Sequence, residues 1–157
     1  MKKVISLKPK TIIEIIAALF ILLFIYTALS KSLQIESTIN VLNQTPVFSI
    51  IAQEIAWGIV ISEFIVSLLL FLPRTRITGL YCSGGLILGF TGYIAYMMAF
   101  VPDLPCSCGG VISEITWTQH LILNIFFLFL AVTALFFERK KSQLKEREIE
   151  STPIVFT

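Results

Sequence analysis

Cys106 and Cys108 stand one residue apart in Pro102-Asp103-Leu104-Pro105-Cys106-Ser107-Cys108-Gly109-Gly110, where this chain concentrates its reactive chemistry. A turn can bring the Cα atoms of such a pair within the roughly 4.4–6.8 Å that a disulfide tolerates, under strain, and a strained, accessible disulfide is easily reduced. Pro105 stiffens the approach, and Gly109-Gly110 permits positive φ on the exit. The chemistry this spacing favours is thiol–disulfide exchange. Other uses stay open. A zinc site needs about four ligands, and the chain adds only one His and a distant third Cys. A disulfide spanning one residue removes almost no loop entropy, which weakens the case for a structural staple, and two inert thiols are the remaining alternative.

A thiol attacks as its thiolate, so groups that favour negative charge nearby matter. His120 falls in the first turn of an apolar run that begins shortly after the pair, and a protonated His and a helix N-terminus both lower a thiol pKa. An interfacial His bonded to solvent or headgroups is the bland reading. Asn124 lies four residues on, on the same helical face, placed to orient the ring or to bridge helices. Glu54 and Glu63 interrupt an earlier apolar run; Glu63 lies about mid-span, where a carboxylate is costly and turns to a bundle interior, a cavity or a proton path, or bonds another helix as a neutral acid. Nine residues separate them, which puts them on opposite faces and about 13 Å apart along the axis. They cannot form one dyad, and Glu54 is the nearer to the thiols. Cys82, about 25 Å of helix away from the pair, reads as a small packing residue rather than a resolving thiol.

The elements that position these groups are membrane helices. Of 157 residues, 56% are hydrophobic and 14% charged, and the mean hydropathy is +0.88, outside the range of soluble domains. A net charge of +2, with the basic residues in short clusters at the ends of apolar runs, gives no case for nucleic acid. Four spans are expected, at about residues 11–30, 47–72, 77–101 and 117–138. The first is longer than the ~7–15 residues of a signal h-region. Between the first two, Leu33, Ile35, Ile39 and Leu42 recur at near-helical spacing among polar residues and predict a short interfacial helix. The third is rich in small residues, with Gly85 and Gly89 spaced for close helix approach. Thr116-Trp117-Thr118-Gln119 fits a capping box opening the fourth. Residues 139–157 read as a solvated, largely disordered polar tail.

Lys and Arg crowd the N-terminus, the 73–76 turn and the C-terminal tail, whereas residues 102–116 have none and 31–46 have only Lys31. Both termini are therefore expected in the cytoplasm of a bacterial inner-membrane protein, with the Cys106/Cys108 loop in the oxidising periplasm.

Four spans, a short polar helix after the first, a Glu-bearing second span, and Pro105-Cys106-Ser107-Cys108-Gly109 before a fourth span carrying Asn124 resemble the MauE branch of the DoxX-like membrane proteins. The resemblance covers about residues 10–138, and is sharpest in the Cys-x-Cys loop followed by an early Asn. Where the family pattern often has Phe-Gly after the second Cys, this chain has Gly109-Gly110. The resemblance implies an all-α, four-helix DoxX-like bundle with a thiol-redox role, since MauE is linked with a thioredoxin-like partner in disulfide maturation of the methylamine dehydrogenase small subunit. On the motif match Cys106 and Cys108 are the redox pair and Asn124 a supporting residue, while His120, Glu54 and Glu63 rest on position. The leading expectation is a membrane module exchanging electrons between a periplasmic thioredoxin-like protein and another acceptor, with a quinone lodged against the glycine-rich third span as one candidate. The alternative is a non-enzymatic assembly subunit of a larger membrane complex. A DsbB-like or vitamin-K-reductase-like oxidoreductase is a weaker match, because those proteins use Cys-x-x-Cys spacing and a second mobile pair.

Overall fold

The computed structural model describes residues 9–44, 48–100 and 116–151. Five α-helices occupy them: α1 Pro9–Leu33, α2 Ile35–Asn43, α3 Ala52–Phe71, α4 Arg76–Phe100 and α5 Trp117–Ser151, with a single 3-10 turn, Ser49–Ile51, leading into α3. Four of the helices are long and apolar enough to cross a membrane: Lys10–Leu33, Ser49–Phe71, Arg76–Phe100 and Trp117–Arg139. The protein is a multi-pass, all-α membrane protein.

Each boundary has a local cause. α1 opens on Pro9, whose missing N–H costs nothing at a first helical position. α2 is amphipathic: Thr38 and Leu42 are buried and Ile35 and Ile39 half-buried, while Glu36, Asn40 and Asn43 are exposed. Its apolar stripe packs on Ala52 and Ala56 at the start of α3. α3 stops because Pro73 pushes Leu72 into extended backbone, φ −79° and ψ 121°. The carbonyls left open there are taken by the next turn, where the Thr75 hydroxyl donates to Leu69 C=O at 2.9 Å and Arg76 Nε to Leu70 C=O at 3.4 Å. α5 begins with the expected capping box. Thr116 N–H donates to Gln119 Oε1 at 3.0 Å and Gln119 N–H to Thr116 Oγ1 at 3.3 Å.

The four long helices run up-down-up-down in a closed ring in which α1 packs on α3, α3 on α4, α4 on α5 and α5 on α1. One half of the bundle is tightly filled. Phe20 and Phe24 of α1 meet Val66, Leu70, Leu80, Ile87 and Phe127, with the Phe20 and Phe127 rings edge-on at 5.4 Å. The outer surface is apolar, as lipid contact requires: Leu22 is 72% exposed and Phe129 68%.

Three expectations change. The close approach on α4 falls at Gly79, where a Cβ would lie 2.9 Å from the Leu70 backbone nitrogen, whereas nothing stands within 4 Å of one at Gly85 or Gly89. Cys82 is exposed on the outer face of α4 rather than packed. Finally, α5 continues as helix to Ser151 instead of fraying after residue 138. Residues 139–151 contain no Gly or Pro and are mostly Lys, Arg, Glu, Gln and Leu, so propensity carries the helix until Pro153 approaches.

Candidate functional site

The other half of the bundle holds the Lys31–Glu63 ion pair and a second set of aromatic side chains. Glu63, past the midpoint of α3, is buried to 1% exposure, and one of its carboxylate oxygens accepts a hydrogen bond from Lys31 Nζ in an interhelical ion pair. Lys31 belongs to the last turn of α1 and points back into the bundle. Its ammonium also sits 4.6 Å from the centroid of the Phe90 ring on α4. One side chain thus ties three spans together. The second Glu63 oxygen, Oε2, has no hydrogen-bond partner among the described residues.

Beside this pair lies a partly open cavity of about 260 Å³ to which all five helices contribute. Lys31 and His120 supply its basic nitrogens, and Phe48, Phe90, Tyr93 and Trp117 supply aromatic walls. Thr38 and Leu42 bring α2 against it, which gives that short helix its place in the architecture. Phe48 and Tyr93 pack with ring centroids 6.0 Å apart, and Trp117 seats against Ile94 and Met97. Gly89 leaves open space where a side chain would intrude.

Of the residues expected to act together, those described occupy different environments. His120 faces the cavity with Lys31. Asn124, one turn deeper on α5, is 7% exposed, and its Nδ2 has no hydrogen-bond partner among the described residues. Glu63 is held by Lys31, while Glu54 is exposed in the first turn of α3, so the two carboxylates occupy unrelated environments. Cys106 and Cys108 lie outside the described residues. The described residues on either side, Phe100 ending α4 and Thr116 preceding α5, lie at the cavity end of the bundle, where Met97 and Trp117 pack together.

The residue that sequence reasoning missed is Lys31. It reads as a stray exception to the charge asymmetry of the loops, yet it is the counter-ion of the deepest carboxylate. The signal was available. Between Lys10 and Arg74 the chain has no other Lys or Arg, and a carboxylate in the middle of a span needs a partner that the basic clusters at the span ends cannot supply.

The family model described as "Methylamine utilisation protein MauE" matches residues 9–137, the whole four-span bundle. The chain belongs to the MauE family. No curated protein and no solved structure matches it. The match to MauE takes in α1 through the membrane part of α5, together with residues 101–115, so Lys31, Glu63, His120 and Asn124 all fall within the family's extent. The helical extension beyond residue 137 falls outside it.

Proposed function

We propose that this MauE-family protein carries out thiol–disulfide exchange at the membrane, with Cys106 and Cys108 as the exchanging pair and a periplasmic thioredoxin-like protein as partner. The reading rests on the Cys106-Ser107-Cys108 spacing within the residues that the MauE model matches, and is supported by the reciprocal capping of α5 by Thr116 and Gln119, which starts a helix eight residues beyond Cys108 in sequence. The positive end of that helix favours thiolate. In the exchange, one thiolate attacks a sulfur of the partner's disulfide and expels the other partner sulfur as thiolate. The second loop thiol then attacks the mixed disulfide and releases the reduced partner, leaving a Cys106–Cys108 disulfide. Cys108, the nearer of the two to α5 in sequence, is the attacking thiol. In this reading both termini face the cytoplasm and the loop faces the periplasm.

Removing the resolving thiol arrests the reaction at the mixed disulfide. Cys106→Ser should therefore trap a thioredoxin-like protein in a reductant-sensitive band, and more strongly than Cys108→Ser does. If neither variant yields an adduct and the double Ser variant supports full growth wherever the protein is needed, the exchange reading fails. The bundle is then a non-enzymatic assembly subunit of a membrane complex.

A further inference from the structure

We propose that the cavity beside the Lys31–Glu63 pair binds the head group of a membrane quinone, with Lys31 and His120 at its ring oxygens. Four observations define the occupant. The first is depth. Ile59 lines the cavity ten residues inside the start of its span at Ser49, about 15 Å along the helix, so the site reaches the bilayer interior and draws its ligand from the lipid phase. The second is size. At about 260 Å³ it falls below the ~300–1,000 Å³ of sites that enclose a drug-sized molecule, so it takes one ring and leaves a long tail outside among the lipids.

The third observation is charge. Lys31 is already neutralised by Glu63, so an anion would meet a pair of no net charge, whereas a neutral acceptor can use the donors that the ammonium has left after bonding the carboxylate. The fourth is the wall itself, where Phe48, Phe90, Tyr93 and Trp117 offer ring faces to a planar conjugated ligand. An acyl chain would use neither the ammonium nor the imidazole. A quinone uses both, because its two carbonyl oxygens accept hydrogen bonds.

The chemical use of the site rests on the thiol-exchange reading. Exchange is reversible: a reduced partner turns the loop disulfide into two thiols and leaves with its own disulfide, and the return of Cys106 and Cys108 to their disulfide releases two electrons and two protons. The quinone takes the electron pair into its ring and one proton on each oxygen to become the quinol, so no further oxidant is consumed.

The test uses the full chain in lipid nanodiscs. Trp57→Phe leaves Trp117, in the cavity wall, as the sole tryptophan, and decylubiquinone is titrated while its fluorescence is read. Quenching should saturate. Gly89→Leu fills the open space, and it and His120→Leu should each weaken the apparent affinity by at least about tenfold. Gly89→Ala, which fits without contact, should weaken it by roughly two- to threefold and guards against a folding defect in the larger variant. The Cys106→Ser/Cys108→Ser variant should bind as tightly as its parent. Quenching that rises linearly with the same slope in all Gly89 variants, or equal competition by decanol, overturns the site. Saturable binding without any trapped partner would instead remove thiol exchange and leave the quinone site standing.

Discussion

Half-buried Lys31 of α1 and fully buried Glu63 of α3 form an ion pair inside the bundle, and the same ammonium rests on the Phe90 ring of α4. A single cation therefore fixes the relative positions of three spans at the level of the cavity. Removing one member leaves the other without its partner in a low-dielectric interior, whereas removing both does not.

That asymmetry gives a stability prediction. Lys31→Met should cost roughly 3–5 kcal/mol, and Glu63→Gln in the same chain should restore a large part of it. A double-mutant cycle on denaturant unfolding in mixed micelles measures the coupling. Losses that simply add would show that the pair contributes nothing beyond its separate side chains.

The α3–α4 corner makes a second, independent case. Gly79→Ala puts a methyl 2.9 Å from the Leu70 backbone nitrogen, which cannot move aside as a side-chain tip would. It should destabilise by about 1–3 kcal/mol. Gly85→Ala, with open space at its Cβ, should be neutral or stabilising by up to about 1 kcal/mol through helix propensity. Equal melting shifts for the two variants would contradict the packing described at Gly79.

Helix capping can be tested at Thr116. Thr116→Ala removes the acceptor for Gln119 N–H and should cost about 1 kcal/mol. Adding Gln119→Ala should cost less than the sum of the two single changes, because both bonds belong to one reciprocal motif. Thermal unfolding of the four-member set reads this directly.

Thiol reactivity supplies a pH prediction. In the exchange reading the positive end of α5 stabilises the thiolate, so at least one of Cys106 and Cys108 should alkylate with a midpoint below the ~8.5 of a free thiol. His120→Ala should move that midpoint upward if the imidazolium contributes. An unmoved rate-versus-pH curve assigns His120 to the cavity alone.

Orientation is checked with a membrane-impermeant maleimide. After reduction, the loop thiols should react in intact cells, whereas a single thiol introduced by Ser151→Cys at the end of α5, in a chain lacking the native thiols, should react only after permeabilisation. The reverse pattern would invert the topology.

Much of the architecture was legible in the sequence because its determinants are local. Runs of about twenty apolar residues specify spans, Pro73 ends α3, the Thr116/Gln119 pattern starts α5, and Ile35, Ile39 and Leu42 mark the buried stripe of α2. The same reading singled out Glu63 as a buried carboxylate and His120 and Asn124 as neighbours on one helical face. The cavity was not legible, because it is the space left between five helices and depends on how far each one stands from the next. The role of Lys31 was hidden for the same reason. Its partner lies 32 residues away on another helix, and only ring closure of the bundle brings the ammonium to the carboxylate. Gly79 and Gly89 make the contrast within a single span: both are glycines in an apolar helix, yet one touches the backbone of its neighbour and the other opens onto a cavity. Sequence fixes which residues lie on one face of a helix, since helical spacing is a property of the chain itself. What each face meets is decided by packing.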